Sequence, residues 1–125
     1  MPPRPGLSAS VDLTVSDADT AIAMLSGEVP VLATPRLVGL FEEASMRAVE
    51  GELAPNETTV GMRVQIDHMA PTAVGTVVTA EATLDKIEGR RLTFTVSAKD
   101  PRGLIGAGKV TRVVVDLERF LDKIN

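Results

Sequence analysis

Cysteine, tryptophan and tyrosine are all absent from the 125 residues. Without cysteine there is no disulfide framework, no thiolate metal site and no cysteine nucleophile. Three phenylalanines are the whole aromatic content, too few for the platforms on which proteins stack unpaired bases. A single histidine means that a zinc site would need carboxylates or a second chain to complete it, and no metal is expected. Basic residues are also scarce, 13 Lys and Arg against 17 Asp and Glu, for a net charge of −4. That balance argues against the basic face of a nucleic-acid binder. No run approaches the roughly 18–20 apolar residues that span a bilayer. Neither nucleic acid nor a membrane is an expected partner.

What remains is 44% apolar and 24% charged residues, the mixture of an ordinary globular chain and enough for one core. Residues 1–8 read as a flexible N-terminal lead-in and 9–125 as a single domain. Met1-Pro2-Pro3-Arg4-Pro5-Gly6 has no apolar stretch behind its charge and is not an export signal, so a cytoplasmic location is expected.

Alternation in Ser10-Val11-Asp12-Leu13-Thr14-Val15 predicts a first strand. Asp17 to Leu25 is expected as a short helix, followed by a loop from Ser26 to Ala33 that could serve as a lid. The clearest helix follows. Thr34 is its expected N-cap, Pro35 its first residue and Gly51 its close, about four and a half turns on. At 100° per residue Leu37, Leu40, Phe41, Ala44 and Ala48 share one face, and Arg36, Glu43, Arg47 and Glu50 lie opposite. Glu42 falls at the margin of the apolar stripe.

Beyond Thr59 the period changes to two. Val60, Met62, Val64 and Ile66 alternate with polar or small residues, and His68 is in phase with them. A second strand is predicted over 76–87 with Val78, Ala80, Ala82 and Leu84 inward, and a third over 91–99 with Leu92, Phe94, Val96 and Ala98 inward. Glu88-Gly89-Arg90 connects the two as a hairpin. Asp100-Pro101-Arg102-Gly103 has the residues of a type I turn. The last strand, 104–117, is apolar on both sides around Val113-Val114-Val115, and 118–125 is a polar tail or a short helical turn. A helix laid on consecutive antiparallel strands is an α+β arrangement.

Gly103-Leu104-Ile105-Gly106-Ala107-Gly108-Lys109 matches half of a phosphate-binding loop, but Val110 stands where Ser or Thr is required and a strand follows instead of a helix. Three residues are oddly placed. His68 is an imidazole on an inward face, suited to proton transfer near neutral pH. Glu42 is a carboxylate on an apolar flank, where burial raises the pKa unless an arginine or solvent satisfies it. Thr34 is a hydroxyl at a helix start, near the backbone N–H groups of Arg36 and Leu37, donors able to hold an oxyanion. Thr34 and Glu42 are about 12 Å apart along the axis, so they do not bond each other directly.

Ala33-Thr34-Pro35, Val38-Gly39-Leu40-Phe41-Glu42 and Val64-Gln65-Ile66-Asp67-His68 occur in order with Thr79-Ala80-Glu81, Glu88-Gly89-Arg90-Arg91-Leu92, Val96-Ser97-Ala98, Ile105-Gly106-Ala107-Gly108 and Leu117-Glu118-Arg119-Phe120. With this spacing the chain, over residues 31 to 121, resembles the fluoroacetyl-CoA thioesterase family of the hot-dog fold. The resemblance implies a long central helix wrapped by an antiparallel sheet and hydrolysis of a small acyl-CoA to free acid and CoA. It implies Thr34, Glu42 and His68 as catalytic residues, Thr34 as nucleophile or water-positioning group and the other two moving the proton. It implies Gly61 near the thioester carbonyl and Arg112 as substrate-binding; for a CoA substrate, nearby Arg90, Arg91, Arg102 and Lys109 are further candidates to contact the phosphates. It also implies a homodimer, alone or paired into a dimer of dimers, with no cofactor beyond the CoA of the substrate. Leu25, Glu28 and Val29 stand where the specialised enzyme of the family closes its site with phenylalanines, a departure that points to a different short acyl group. Two other jobs fit the same fold: a non-catalytic acyl-CoA sensor, which needs the pocket but not all three polar residues, and an enoyl-CoA hydratase, which needs no threonine.

Overall fold

Eight elements follow one another in the computed structural model, which describes residues 2–125. They are β1 (Ser8–Thr14), a 3₁₀ turn (Asp17–Asp19), α1 (Thr34–Ala48), β2 (Glu57–His68), β3 (Val77–Glu88), β4 (Arg91–Asp100), β5 (Gly103–Asp116) and α2 (Leu117–Asp122). The strands form one antiparallel sheet in the order β1-β3-β4-β5-β2, and α1 packs across one face of it. This is the expected α+β hot-dog architecture. Among the described residues no helix is long and apolar enough to cross a membrane.

The period-two residues of β3 and β4 are buried as predicted, Val78, Ala80, Ala82 and Leu84 beside Leu92, Phe94, Val96 and Ala98. They meet Leu37, Leu40, Phe41 and Ala44 of α1 in a single core. Phe41 and Phe94 are fully enclosed, and burial of each side chain contributes about 1.5–3 kcal/mol. Ser45, also enclosed, is satisfied because its hydroxyl donates to the Phe41 carbonyl one turn back. The hairpin and the Asp100–Gly103 turn fall where expected, and the tail opens with the short helix α2. Asp100 steadies its turn by accepting the Arg102 N–H on one oxygen and the Thr72 hydroxyl on the other. At the chain start, Gly6 and Leu7 bond with Leu84, so the end of the expected lead-in is held on the sheet.

Three local expectations are corrected. The helix over 17–25 reduces to the 3₁₀ turn Asp17–Asp19. Its continuation is drawn off by longer-range bonds, Ala21 N–H to the Val31 carbonyl and a bridge between Thr20 and Leu32. The N-cap of α1 is Ala33, with Thr34 already the first helical residue. The Arg36 and Leu37 N–H groups both reach the Ala33 carbonyl, so they do not form the oxyanion donors expected there. In β2 the register slips between Gly61 and Arg63. A bulge of this kind changes which face each residue presents. Val64, Ile66 and His68 keep the helix side, but Met62 is turned out and exposed, and Thr59 and Gly61 take the inward positions.

Candidate functional site

The residues singled out in the sequence gather into two groups. The first is built where α1 begins and β2 ends. Thr34 Oγ1 lies 2.8 Å from Nδ1 of His68. Asp19 fixes the helix start: its carbonyl accepts the Ala33 N–H and its carboxylate accepts the Arg36 guanidinium at 3.0 Å. Burial acts to raise the Asp19 carboxyl, but bonds from the Ser16 backbone and hydroxyl and from Arg36 outweigh it and leave the group below its ordinary value. From the other side, Met69 and Ala70 both bond the Ile105 carbonyl, which sets the chain leaving His68.

The imidazole is half-buried and its Nε2 is enclosed without a hydrogen-bond partner within the chain. Burial pushes its pKa below 6.5, with the Ala70 backbone opposing in part. Burial favours the neutral ring, and in its tautomer protonated at Nε2 the Nδ1 lone pair accepts the Thr34 hydroxyl proton. Both side chains line a hollow of about 290 Å³ whose walls include Ala21, Val29, Val31, Leu32, Ala70 and Pro71. Apart from Thr34, Ser26 and His68, every side chain on it is apolar or absent. The segment before α1 is tied down at its end, since the Leu32 N–H bonds the Thr72 carbonyl and Val31 bridges to Ala73.

The second group sits further along α1. Arg112 faces the helix side of β5, in phase with buried Val110 and Val114, and is only 7% exposed. Its guanidinium donates to Glu42 Oε2 at 3.2 Å, to Thr59 Oγ1 at 2.9 Å and to the Thr59 carbonyl at 3.0 Å. Burial pushes its pKa down and Glu42 pulls it back up. Gly61 lies opposite Arg112 on β2, and a Cβ added there would stand 2.6 Å from Glu42 Oε2. The missing side chain is what lets the carboxylate sit against the strand.

The Arg112 guanidinium, expected as substrate-binding, is thus buried and engaged with Glu42 and Thr59 within the chain. Arg90 and Lys109 are likewise engaged, with Glu57 and Asp85. Thr59 lies before the strand expected from Val60, whereas β2 begins at Glu57 and its bulge at Met62 sets Thr59 inward. The arginine did carry a signal, being charged at an inward position of β5. Within one chain the two groups do not meet. Eight helical steps take the chain from Thr34 to Glu42, about 12 Å along α1.

The family model for the fluoroacetyl-CoA-specific thioesterase matches residues 15–118. The fluoroacetyl-CoA thioesterase of Streptantibioticus cattleyicolor is 43% identical over 94 residues, which is 75% of this chain and 68% of that protein. A solved structure of fluoroacetyl-CoA thioesterase superposes with a TM-score of 0.90 at 37% identity, covering 98% of this chain and 95% of that one. A Thr-to-Ser variant of that enzyme, solved in complex with acetyl-CoA, gives 0.91 at 34% identity over 98% and 96% of the two chains. A Thermus thermophilus hypothetical protein of the thioesterase superfamily gives 0.91 at 28% identity over 99% and 93%. On a model match that runs through nearly the whole fold, the chain belongs to the fluoroacetyl-CoA-specific thioesterase family.

Proposed function

We propose that this protein hydrolyses a small acyl-CoA thioester to the free acid and CoA at a site made by Thr34, His68 and Glu42. The observation that carries this reading is the 2.8 Å contact between Thr34 Oγ1 and His68 Nδ1 at the wall of the apolar hollow. A hydroxyl bonded to a neutral imidazole is the arrangement of an activated oxygen nucleophile. As Thr34 Oγ1 bonds to the thioester carbonyl carbon, its proton passes to His68. The C–S bond then breaks, and that proton goes to the departing sulfur. Water cleaves the resulting acyl-threonine, returning a proton to the threonine oxygen. The sum is addition of water across the C–S bond, with no cofactor beyond the CoA of the substrate.

Glu42 enters this scheme through a second copy of the chain. β2 is an edge strand of 12 residues, and an unpaired edge is a template for another strand. An antiparallel pairing of two such edges with Gln65 opposite the partner subunit's Gln65 sets inward residues against inward residues, and the extra residue at Met62 then brings Gly61 opposite the partner subunit's His68. Glu42, which rests against Gly61, then comes near the Thr34–His68 pair of the other copy. Homodimer formation is accordingly part of the proposal.

The test is release of free thiol from acyl-CoAs ranging from acetyl to aryl. Turnover of a short acyl chain, abolished in His68→Ala and cut at least a hundredfold in Thr34→Ala with folding intact, is the expected result. Unchanged turnover in Thr34→Ala would remove it as nucleophile. Binding without release in the parent would make the protein a sensor.

A further inference from the structure

A second hollow, of about 170 Å³, adjoins the first. The two share Ala70 and Pro71 as a common wall, and the second runs on to Arg102, Leu104 and Ile105. We propose that the Arg102 guanidinium receives phosphate oxygens of CoA, with the pantetheine arm passing over Ala70 and Pro71 from the Thr34–His68 hollow. This rests on the thioesterase reading and assigns the CoA end of the same site.

Elimination supports the choice. Of the cations considered for the phosphates, Arg90 pairs with Glu57, Lys109 with Asp85, and Arg112 is buried against Glu42 and Thr59. Among the described residues Arg91 and Arg102 are the two of that set whose side chains have no partner in the chain. Arg91 is at the wrong end of the sheet: it stands opposite Val113, whereas His68 stands opposite Gly106. Seven residue steps along β5 part those positions, roughly 23 Å at 3.3 Å per step. Arg102 is at the His68 end, because the Asp100–Gly103 turn leads directly into Ile105, whose carbonyl holds Met69 and Ala70.

The turn also presents Arg102 in a set position. Asp100 is buried, with one oxygen on the Arg102 backbone N–H and the other on Thr72. Its carboxylate, which also borders the second hollow, is therefore committed to the Arg102 N–H and the Thr72 hydroxyl and does not pair with the guanidinium. The turn thereby fixes where the Arg102 side chain leaves the backbone, and its guanidinium offers a planar fork suited to phosphate. In a chain of net charge −4, such a local cation would decide where a polyanionic substrate docks.

The test compares one acyl group, the best substrate of the panel, carried on CoA and on pantetheine, which has no phosphate. Arg102→Ala should raise KM for the CoA thioester about three- to tenfold and Arg102→Glu more, with kcat unchanged. KM for the pantetheine thioester should not move. Lys123→Ala, a cation at the far end of the chain, should alter neither. A KM change shared by both carriers, or none with CoA, would overturn the assignment. Calorimetric titration of CoA itself into the parent and Arg102→Glu decides the case where no thioester is turned over. Weaker CoA binding in the variant then supports the site while the thioesterase reading fails, and equal binding, or none in the parent, overturns it.

Discussion

Arg112 on the sheet donates to Glu42 on the helix across 3.2 Å, but the two side chains are unequally hidden, 9% and 37% exposed. The arginine is the member that cannot turn to solvent. It holds Glu42 with one nitrogen and Thr59 with the other two, a three-point grip that depends on a planar fork. Arg112→Lys keeps the charge and loses the fork, so one ammonium must serve acceptors arranged for three nitrogens. The expected cost is about 1–2 kcal/mol, since Glu42 retains solvent as an alternative. A shift of the urea midpoint at constant slope would measure it. No shift would mean that the grip contributes nothing to stability.

Gly61→Ala separates stability from activity at the same place. The added methyl would press on Glu42 Oε2 at 2.6 Å, which is the far end of a flexible side chain and can swing aside. Stability should change by less than about 1 kcal/mol. Thioester hydrolysis should fall through kcat, because the carboxylate leaves its place beside Arg112. An unaltered kcat together with an unaltered melting temperature would show that the position of Glu42 is immaterial to turnover.

These two residues also mark how far the sequence is legible. Helix α1, the inward faces of β3 and β4 and both tight turns follow from local signals of period and turn chemistry. Glu42 and His68 stood out because a charge or imidazole broke an apolar pattern. The bulge in β2 was hidden, since Val60, Met62, Val64 and Ile66 alternate without a flaw and the inserted residue is visible only against its partner strand. The segment after Asp19 was misread for a related reason. Its bonds go to Val31 and Leu32, about ten residues away, and no local propensity reports them. The Thr34–His68 contact joins positions 34 residues apart and is a property of the packed fold alone.

Gly108 should be the least replaceable glycine of β5. A Cβ there would stand 2.7 Å from Ile66 Cα and closer still to the Gln65 carbonyl oxygen. Both are backbone atoms of the paired strand, which cannot yield as a side-chain end can. Gly108→Ala is expected to cost about 3 kcal/mol or more, by prying β2 from β5. Gly106→Ala presses chiefly on Leu37 Cδ2, at 2.8 Å, and should cost less. Urea unfolding of the two variants side by side would check the order, and the reverse order would refute the backbone argument.

His68 allows a pH test free of overlap, because it is the chain's single histidine. Burial holds its folded pKa below 6.5, so between that lower value and 6.5 the unfolded chain binds more protons than the folded one. Stability must therefore rise with pH across that window and fall as the pH drops through it. His68→Gln should flatten that part of the stability curve and leave the neutral range unchanged. The same group sets the acid limb of catalysis if its neutral form accepts the Thr34 proton: kcat/KM should decline only below pH 6.5, with an apparent pKa equal to that of the free enzyme's imidazole resonance followed by NMR. An imidazole that titrates above 6.5 would contradict the burial argument. A catalytic acid limb that did not track the imidazole would detach His68 from the proton transfer while leaving the fold argument intact.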